Sequence, residues 1–331
     1  MSAQKPRMAI LVGGGPAPGI NGVISAATIE AHNNGIEVVG FYEGFKFLME
    51  GDASKHAVLA IEDVSRIHFM GGSILRTSRA NPTKKPESMQ NVLRCLKEQN
   101  IRYVVTIGGD DTAYSSSQLA IASAGTLAVA HVPKTIDNDL PLPPSIPTFG
   151  FQTARHTGVQ IVKNLMADAK TAPRWYIVVA MGRKAGHLAL GIGKAAAAPL
   201  TLIPEEFAGR TVTFKEICDI VEGAIYKRQV YGRDHGVIIL AEGLVEHMSP
   251  DERDEVFGNE DIERDEHGHI KLDDVEFGKA VRDELRRRFK SRGKKITVTN
   301  KNLGYELRCA DQIQHDWQYT RDLSASVPSS S

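Results

Sequence analysis

The sequence has few cysteines, and none of them form a closely spaced pair. Cys95, Cys218 and Cys309 are the only cysteines in 331 residues, and no CxxC motif joins them. A disulfide framework and a cysteine-ligated zinc site are therefore not expected. Free thiols suit a reducing compartment, so the sequence predicts a cytoplasmic protein.

Long apolar runs and an excess of one charge are also missing. The first apolar run, Met8 to Val12, is too short for a secretory signal, and no stretch approaches the ~20 residues of a membrane helix. Lys and Arg together number 40, as do Asp and Glu. Because no net field attracts polyanions, we expect neither a nucleic-acid nor a membrane partner. Any phosphate chemistry must come from local clusters of residues.

Short segments rich in Val and Ile alternate with longer amphipathic segments. The predicted strands are Met8 to Val12, Glu37 to Phe41, Tyr103 to Ile107, Leu127 to His131, Trp175 to Ala180 and Gly236 to Ala241. The predicted helices are Asn21 to His32, Glu87 to Gln99, Tyr114 to Ser123, Thr153 to Ala169 and Phe214 to Lys227. Strands that are apolar on both faces and alternate with helices indicate an α/β fold with largely parallel sheets.

Four prolines in the segment LPLPPSIP, Leu140 to Pro147, indicate a boundary between two α/β domains. The charged segment Asp251 to Glu266 predicts an exposed loop, and VRDELRRRFKSRGKK after it predicts a solvated amphipathic helix. The tail SASVPSSS is typical of disorder. His187, His267 and His269 are interpreted as ordinary solvated or capping histidines, because no metal-ligand spacing joins them.

A glycine-rich loop, Gly13 to Gly19, follows the first strand and leads into a helix. Such a loop can bring backbone N–H groups close to phosphate at a helix N-terminus. A dinucleotide fingerprint would need glycine in place of Pro18, and a Walker loop would need lysine in place of Ile20. Taken alone, the loop is equally compatible with a structural tight turn.

The segment Gly108 to Thr112, GGDDT, follows the third predicted strand and opens a helix. A carboxylate at this place can hold Mg²⁺ that is bound to phosphate oxygens. The alternative is plain helix capping by Asp or Thr, which is common. The segment alone leaves both interpretations open.

The segment Pro133 to Asp139, PKTIDND, follows the next strand and is predicted to form a loop. It offers one cation, a hydroxyl, an amide and two carboxylates. A sugar hydroxyl that attacks phosphorus needs a carboxylate to accept its proton and cations to stabilise the phosphoryl oxygens. This composition favours phosphoryl transfer over a solvated turn.

These segments occur in a fixed order with GFQTA (Gly150 to Ala154), MGR (Met181 to Arg183), AEG (around Glu242) and LGYELR (Leu303 to Arg308). From about Met8 to Asp322 the chain resembles the phosphofructokinase family. GGD with a small residue also resembles NAD kinases and diacylglycerol kinases. A nucleotide or lipid kinase, however, would have no reason to keep PKTIDND and MGR.

The resemblance implies a role for each matching residue. Asp137 resembles the base that deprotonates the 1-hydroxyl of fructose 6-phosphate, with Asp139 as its supporting carboxylate, and Asp110 matches the position that coordinates Mg²⁺. The catalytic set is completed by Lys134 and Thr135. Residues expected to contact the phosphate donor are Gly15, Arg79, Asp111, Thr112 and Lys134. Residues expected to contact the sugar phosphate are Thr135, Arg174, Met181, Gly182, Arg183, Glu242, Tyr305 and Arg308.

Two of these positions bear on assembly and on the family pattern. Arg174 corresponds to an arginine that family members contribute across a subunit interface to the neighbour's 6-phosphate. The resemblance therefore implies a homodimer or homotetramer with shared active sites. Tyr305 stands where many members have histidine.

Two positions imply that pyrophosphate is the donor. Asp111 stands where ATP users have glycine, and Lys134 stands where classical bacterial ATP users have glycine. A carboxylate would repel the α-phosphate of ATP at close range, whereas a lysine would stabilise a small, dense pyrophosphate. The expected reaction is reversible and gives fructose 1,6-bisphosphate and phosphate, for glycolysis or gluconeogenesis. The alternatives are an ATP-dependent phosphofructokinase and a non-catalytic regulatory or degenerate subunit.

The resemblance also implies a domain plan of two Rossmann-like α/β/α domains. Residues 1–143 would bind the donor and magnesium, and residues 144–308 would bind fructose 6-phosphate. Residues 309–331 would begin a return segment to the first domain and end in the serine-rich tail. Family members continue for several dozen residues after LGYELR, so the C-terminal end is expected to be shortened.

Overall fold

A computed structural model describes residues 5–143, 148–257 and 275–325. His267, His269, most of the predicted tail and parts of the proline-rich and charged segments lie outside the described residues. The strands are β1 (Arg7–Val12), β2 (Glu37–Phe41), β3 (His56–Leu59), β4 (Ile101–Gly108), β5 (Ala128–Thr135), β6 (Phe149–Gly150), β7 (Trp175–Ala180), β8 (Leu200–Leu202), β9 (Gly236–Ala241) and β10 (Val298–Leu303). The helices are α1 (Ile20–Asn33), α2 (Lys46–Met49), α3 (Ile61–Val64), α4 (Pro86–Glu98), α5 (Asp110–Ala122), α6 (Phe151–Thr171), α7 (His187–Ala195), α8 (Phe214–Val230), α9 (Pro250–Phe257), α10 (Phe277–Ser291), α11 (Tyr305–Arg308) and α12 (Gln314–Ala325).

The chain divides into two compact units. The first comprises Met1–Ile136, Leu140–Ala154 and Glu306–Ser331, and the second comprises Asp137–Asp139 and Arg155–Tyr305. The domain boundaries predicted from the sequence, by comparison, lie after residues 143 and 308. Which ligand each domain binds stays a prediction.

The first unit is built on a sheet with the strand order β3-β2-β1-β4-β5-β6. Its paired strands are parallel except for β2 and β3, which are antiparallel. Alternate residues of β1 belong to opposite core clusters: Met8 and Ile10 pack with α1, whereas Ala9 and Leu11 pack with α4 and α5. The sheet is therefore covered on both faces, as its apolar strands predict.

The first unit also includes α12, which packs on α1. The buried carboxylate of Asp316 accepts hydrogen bonds from the backbone N–H of Gly150 (3.4 Å) and Thr153 (3.1 Å). It also accepts one from the Thr153 hydroxyl (2.5 Å). Asp316 thus supplies acceptors for the N–H groups at the first turn of α6, which have no partner within the helix.

The second unit is built on a parallel sheet with the order β10-β7-β9-β8. Within α10 the segment VRDELRRRFKSRGKK is helical as far as Ser291, which confirms the predicted amphipathic helix. Val281, Leu285 and Phe289, spaced four residues apart, are buried in the core of this unit. Charged residues dominate the other face, as expected of an amphipathic helix.

The six predicted strands and five predicted helices are present, and the parallel α/β class is confirmed. β5 continues to Thr135, so Lys134 and Thr135 lie on a strand and not in the predicted loop. α5 begins at Asp110, four residues before the predicted start at Tyr114. The start of the charged segment forms α9, so an exposed loop was the wrong prediction there. Within the described ranges, no helix is long and apolar enough to span a bilayer.

Candidate active site

The glycine-rich loop and the GGDDT segment lie at the switch point of the first sheet. β1 and β4 are neighbours, and the chain continues from β1 towards β2 on one side and from β4 towards β5 on the other. Gly13 to Gly15 follow the carboxyl end of β1, and Gly109 to Asp111 follow that of β4. Open α/β sheets bind ligands at this place.

The glycine loop is fixed by the segment that carries Arg79. The Gly14 N–H donates to the Ser78 carbonyl (2.9 Å), and the Thr77 hydroxyl donates to the Gly14 carbonyl (2.6 Å). Because Arg79 directly follows Ser78, these bonds hold its backbone beside the glycine loop, and its side chain is exposed. This location agrees with the predicted contact to a phosphate donor.

Asp110 and Asp111 occupy the first turn of α5, and both are exposed. The Asp111 N–H donates to the Asp110 carboxylate (3.0 Å). Thr112 is buried, and a Cβ on Gly108 would lie only 2.3 Å from its hydroxyl oxygen. Thr112 therefore packs against the end of β4, and its predicted donor contact stays a prediction.

Two cations lie close to the glycine loop. Lys134 is 6% exposed, and its Nζ lies 3.3 Å from the position of a Cβ on Gly14. The guanidinium carbon of Arg308 lies 3.9 Å from the position of a Cβ on Gly15. Cations beside backbone N–H groups suit a phosphate ligand. Arg308, expected to contact the sugar phosphate, thus lies beside the loop predicted to bind the donor.

A largely buried polar network joins the strands behind these residues. The Ser116 hydroxyl donates to the Thr112 carbonyl (2.7 Å) and lies 2.6 Å from the Thr106 hydroxyl, which lies 2.9 Å from Nδ1 of His131. Since Ser116 uses its proton on the carbonyl, Thr106 donates to Ser116 and His131 Nδ1 donates to Thr106. Burial lowers the pKa of His131 to about 4, so the imidazole is neutral at pH 7.

Asn21 organises the loop before Arg79, a role for which no sequence motif offers a signal. Asn21 is 1% exposed; its amide donates to the carbonyls of Met70 and Gly71 (both 3.2 Å) and accepts from the Ile74 N–H (2.9 Å). A buried amide with three backbone partners fixes this loop in one conformation.

Residues predicted to contact the sugar phosphate gather at one edge of the second sheet. β10, β7 and β9 are neighbours, and Leu303, Ala180 and Ala241 are in register at their carboxyl ends. Met181, Glu242 and Gly304 come directly after them. The three strand ends therefore meet although they are far apart in sequence.

The MGR turn depends on a glycine and on Glu242. Gly182 has φ of +140°, a conformation that side-chain-bearing residues rarely adopt, and its N–H donates to the Glu242 carboxylate (3.0 Å). Arg183 is half-buried and forms an ion pair with Glu246 (3.8 Å). Tyr305 is 63% exposed at the same edge.

Arg174 lies at the other end of β7. It precedes the first residue of this strand, whereas Met181 follows the last. A six-residue strand spans about 20 Å. Arg174 donates to the Ala172 carbonyl (3.1 Å) and pairs with Asp168 (3.6 Å). The structure therefore does not bring Arg174 together with Met181, Arg183 and Glu242 of its own chain.

The segment Asp137–Asp139 belongs to the second unit. Asn138, between the two carboxylates, has a left-handed backbone with φ of +57°. Its carbonyl lies 3.0 Å from Nδ1 of His187, the first residue of α7. The interpretation of His187 as an ordinary solvated or capping histidine is therefore incomplete, because its ring contacts the predicted catalytic segment.

Among the residues that the structure describes, no group of three or more His, Cys, Asp or Glu side chains could hold a metal ion by itself. Asp110 and Asp111 could supply one or two carboxylate ligands. Mg²⁺ commonly binds to one or two carboxylates and completes its shell with water and substrate phosphates. The residues present therefore fit Mg²⁺ that arrives with a phosphate donor.

The profile of the family described as phosphofructokinase matches residues 7–326. The chain belongs to this family. Two relatives carry the name pyrophosphate–fructose 6-phosphate 1-phosphotransferase. The protein of Naegleria fowleri is 59% identical over 325 residues, which cover 96% of this chain and 74% of the relative. That of Thermotoga maritima is 54% identical over 317 residues, which cover 96% of this chain and 75% of the relative.

A solved phosphofructokinase has the same fold. The crystal structure of Pichia pastoris phosphofructokinase in the T-state matches 98% of this chain with a TM-score of 0.76 and 21% identity. The match covers 32% of that protein's chain. The predicted phosphofructokinase fold, with two Rossmann-like α/β/α parts and mainly parallel sheets, is confirmed.

Proposed function

We propose that this chain is a pyrophosphate-dependent phosphofructokinase, which transfers a phosphoryl group to the 1-hydroxyl of fructose 6-phosphate. The products are fructose 1,6-bisphosphate and phosphate, and the reaction is reversible. The observation that carries the proposal is the presence of both Asp111 and Lys134 at the carboxyl ends of neighbouring strands in the first sheet. The names of the two relatives that are more than half identical support the same donor.

Charge explains the choice of donor. Asp111 is exposed in the first turn of α5, where the α-phosphate of ATP would meet a like charge at close range. Lys134, beside Gly14, would stabilise the dense charge of pyrophosphate and of the departing phosphate. Gly15, Arg79 and Thr112 complete the proposed donor contacts.

Members of this family generally use a divalent metal such as Mg²⁺, and Asp110 is the proposed ligand. When bound, the metal neutralises charge on the phosphate oxygens. Asp137 would accept the proton of the sugar hydroxyl, and Asp139 would support it. Lys134 and Thr135 would stabilise the transferring group.

The sugar phosphate would contact Met181, Gly182, Arg183, Glu242, Tyr305 and Arg308. Arg174 lies about 20 Å from Met181 along β7, and this separation supports a contact to a 6-phosphate held by another subunit. We therefore propose a homodimer or homotetramer with shared active sites. The three well-separated cysteines support a cytoplasmic location.

The test compares initial rates with fructose 6-phosphate and Mg²⁺ when either pyrophosphate or ATP is supplied at equal concentration. We expect turnover with pyrophosphate only in the unmutated protein and some ATP use by Asp111→Gly. Ser117→Ala, at an exposed position farther along α5, is the matched control and should leave donor choice unaltered.

Other outcomes point to the alternatives. Turnover with ATP by the unmutated protein would assign the chain to the ATP-dependent branch. A folded protein that is inactive with both donors would be a non-catalytic subunit. Reverse turnover from fructose 1,6-bisphosphate and phosphate should accompany the forward reaction, and its absence would contradict reversibility.

A further inference from the structure

We propose that His187 is a positioning residue, which holds the Asp137–Asp139 segment in its catalytic conformation through the carbonyl of Asn138. The proposal rests on the proposed function, because it assigns Asp137 as the base. The carrying observation is the 3.0 Å contact between His187 Nδ1 and the Asn138 oxygen. Both residues belong to the second unit.

The backbone of the segment has an uncommon conformation at Asn138. Asn138 has φ of +57°, a left-handed conformation that asparagine tolerates but does not prefer over extended or helical backbone. Its peptide group lies between the two carboxylates that the sequence predicts to be catalytic. A rotation of this peptide would therefore displace Asp137 or Asp139, or both.

The start of α7 fixes His187 itself. His187 is the first residue of this helix, and the N–H of the preceding Gly186 donates to the Glu205 carboxylate (2.8 Å). Leu188 and Ala189, which follow, are buried. The imidazole thus extends from a backbone that is anchored on both sides.

The chemistry of the contact defines the tautomer. A carbonyl oxygen only accepts hydrogen bonds, so Nδ1 of His187 must carry a proton. Both the imidazolium and the neutral Nδ1–H form meet this condition. His187 therefore acts through Nδ1 as a hydrogen-bond donor to the backbone.

The consequence is a selective effect on rate. In the proposed function the sugar phosphate contacts Met181, Arg183 and Glu242, whereas the contact of His187 described above is with the Asn138 carbonyl. Alignment of Asp137 with the hydroxyl affects only the transition state, and small misplacements of a catalytic group are costly. We therefore expect kcat to fall when the donor is lost, while KM for both substrates stays nearly constant.

The experiment compares His187→Leu with His187→Asn. The asparagine amide nitrogen can take the place of Nδ1 and donate to the same carbonyl, whereas leucine cannot donate. We expect kcat of His187→Leu to fall about tenfold and that of His187→Asn to stay within about threefold of the unmutated value. KM for pyrophosphate and fructose 6-phosphate should change less than about twofold in both.

Equal kcat values for the leucine variant and the unmutated protein would overturn the proposal. A rise in KM for fructose 6-phosphate at constant kcat would also overturn it, because His187 would then act in sugar binding. Hydrogen exchange of the amides of Ile136 to Leu140 gives a readout that needs no activity. Faster exchange in His187→Leu, restored in His187→Asn, is expected, and unchanged exchange contradicts the positioning role.

These readouts separate the two proposals. An inactive unmutated protein would refute the proposed function, and hydrogen exchange would still decide whether His187 holds the segment. Thermal unfolding of each variant identifies loss of fold. The asparagine variant keeps the test decisive if leucine at this exposed position lowers stability.

Discussion

A fall in pH from 7 to 5 should destabilise the first unit through the largely buried imidazole of His131. Burial lowers the pKa of His131 from 6.5 to about 4, with nearby Lys134 adding to the effect. The unfolded chain therefore binds a proton below pH 6.5, whereas the folded protein does not until about pH 4. Stability is lost as the pH falls through this window.

The size of the effect follows from the two pKa values. Linkage gives a loss of about 2 kcal/mol between pH 7 and pH 5 and about 3 kcal/mol by pH 4. This is a large fraction of the ~5–15 kcal/mol by which domains are usually stable. Above about pH 8 both states are neutral, and the contribution of His131 no longer changes.

The assay is denaturant unfolding of the protein and of His131→Asn at several pH values from 5 to 8. Asparagine can still donate to the Thr106 hydroxyl but does not titrate in this range. Burial also lowers the pKa of His68 and His235, and their contributions cancel in the difference between the two proteins. Equal pH dependence of the two unfolding free energies would refute the reasoning.

Two further predictions concern a loop and an ion pair. Asn21→Leu removes the hydrogen-bond partners of Met70, Gly71 and Ile74, which fix the loop before Arg79. KM for pyrophosphate should therefore rise about tenfold while KM for fructose 6-phosphate stays unchanged. Equal changes in the two KM values would contradict this prediction. Glu222 is buried and pairs with Arg288 (3.1 Å) and Arg292, so Glu222→Ala should lower the free energy of unfolding by about 3–5 kcal/mol. Glu216→Ala, which removes an exposed pair on the same helix, should have a far smaller effect in the same denaturant titration.

Much of the fold could be predicted because buried parallel strands are apolar on both faces. β1, β2, β7 and β9 were recognisable on this basis. β10, with the sequence VTNKNL, was not, because only its ends Val298 and Leu303 are buried. Its polar middle resembles a loop, and its place beside β7 depends on tertiary pairing that no local pattern encodes.

The residues of the candidate site could be predicted only where they belong to a sequence motif. Their adjacency depends on strand order, since Glu242 meets Gly182 only because β7 and β9 are neighbours. The roles of Asn21, His131 and His187 left no sequence signal. Each is a single polar residue whose hydrogen-bond partner lies at least 25 residues away, so the contact can be recognised only in the folded structure.

The carboxylate of Asp316 sets an order for events during protein synthesis. It caps the first turn of α6, yet it lies 166 residues after Gly150 in the chain. A ribosome adds about 5–20 residues per second, so roughly 10–30 seconds pass between the two. Throughout that interval the nascent helix start lacks its acceptor, and α1 lacks the helix that covers it. The first unit can therefore reach its final packing only after α12 has left the exit tunnel.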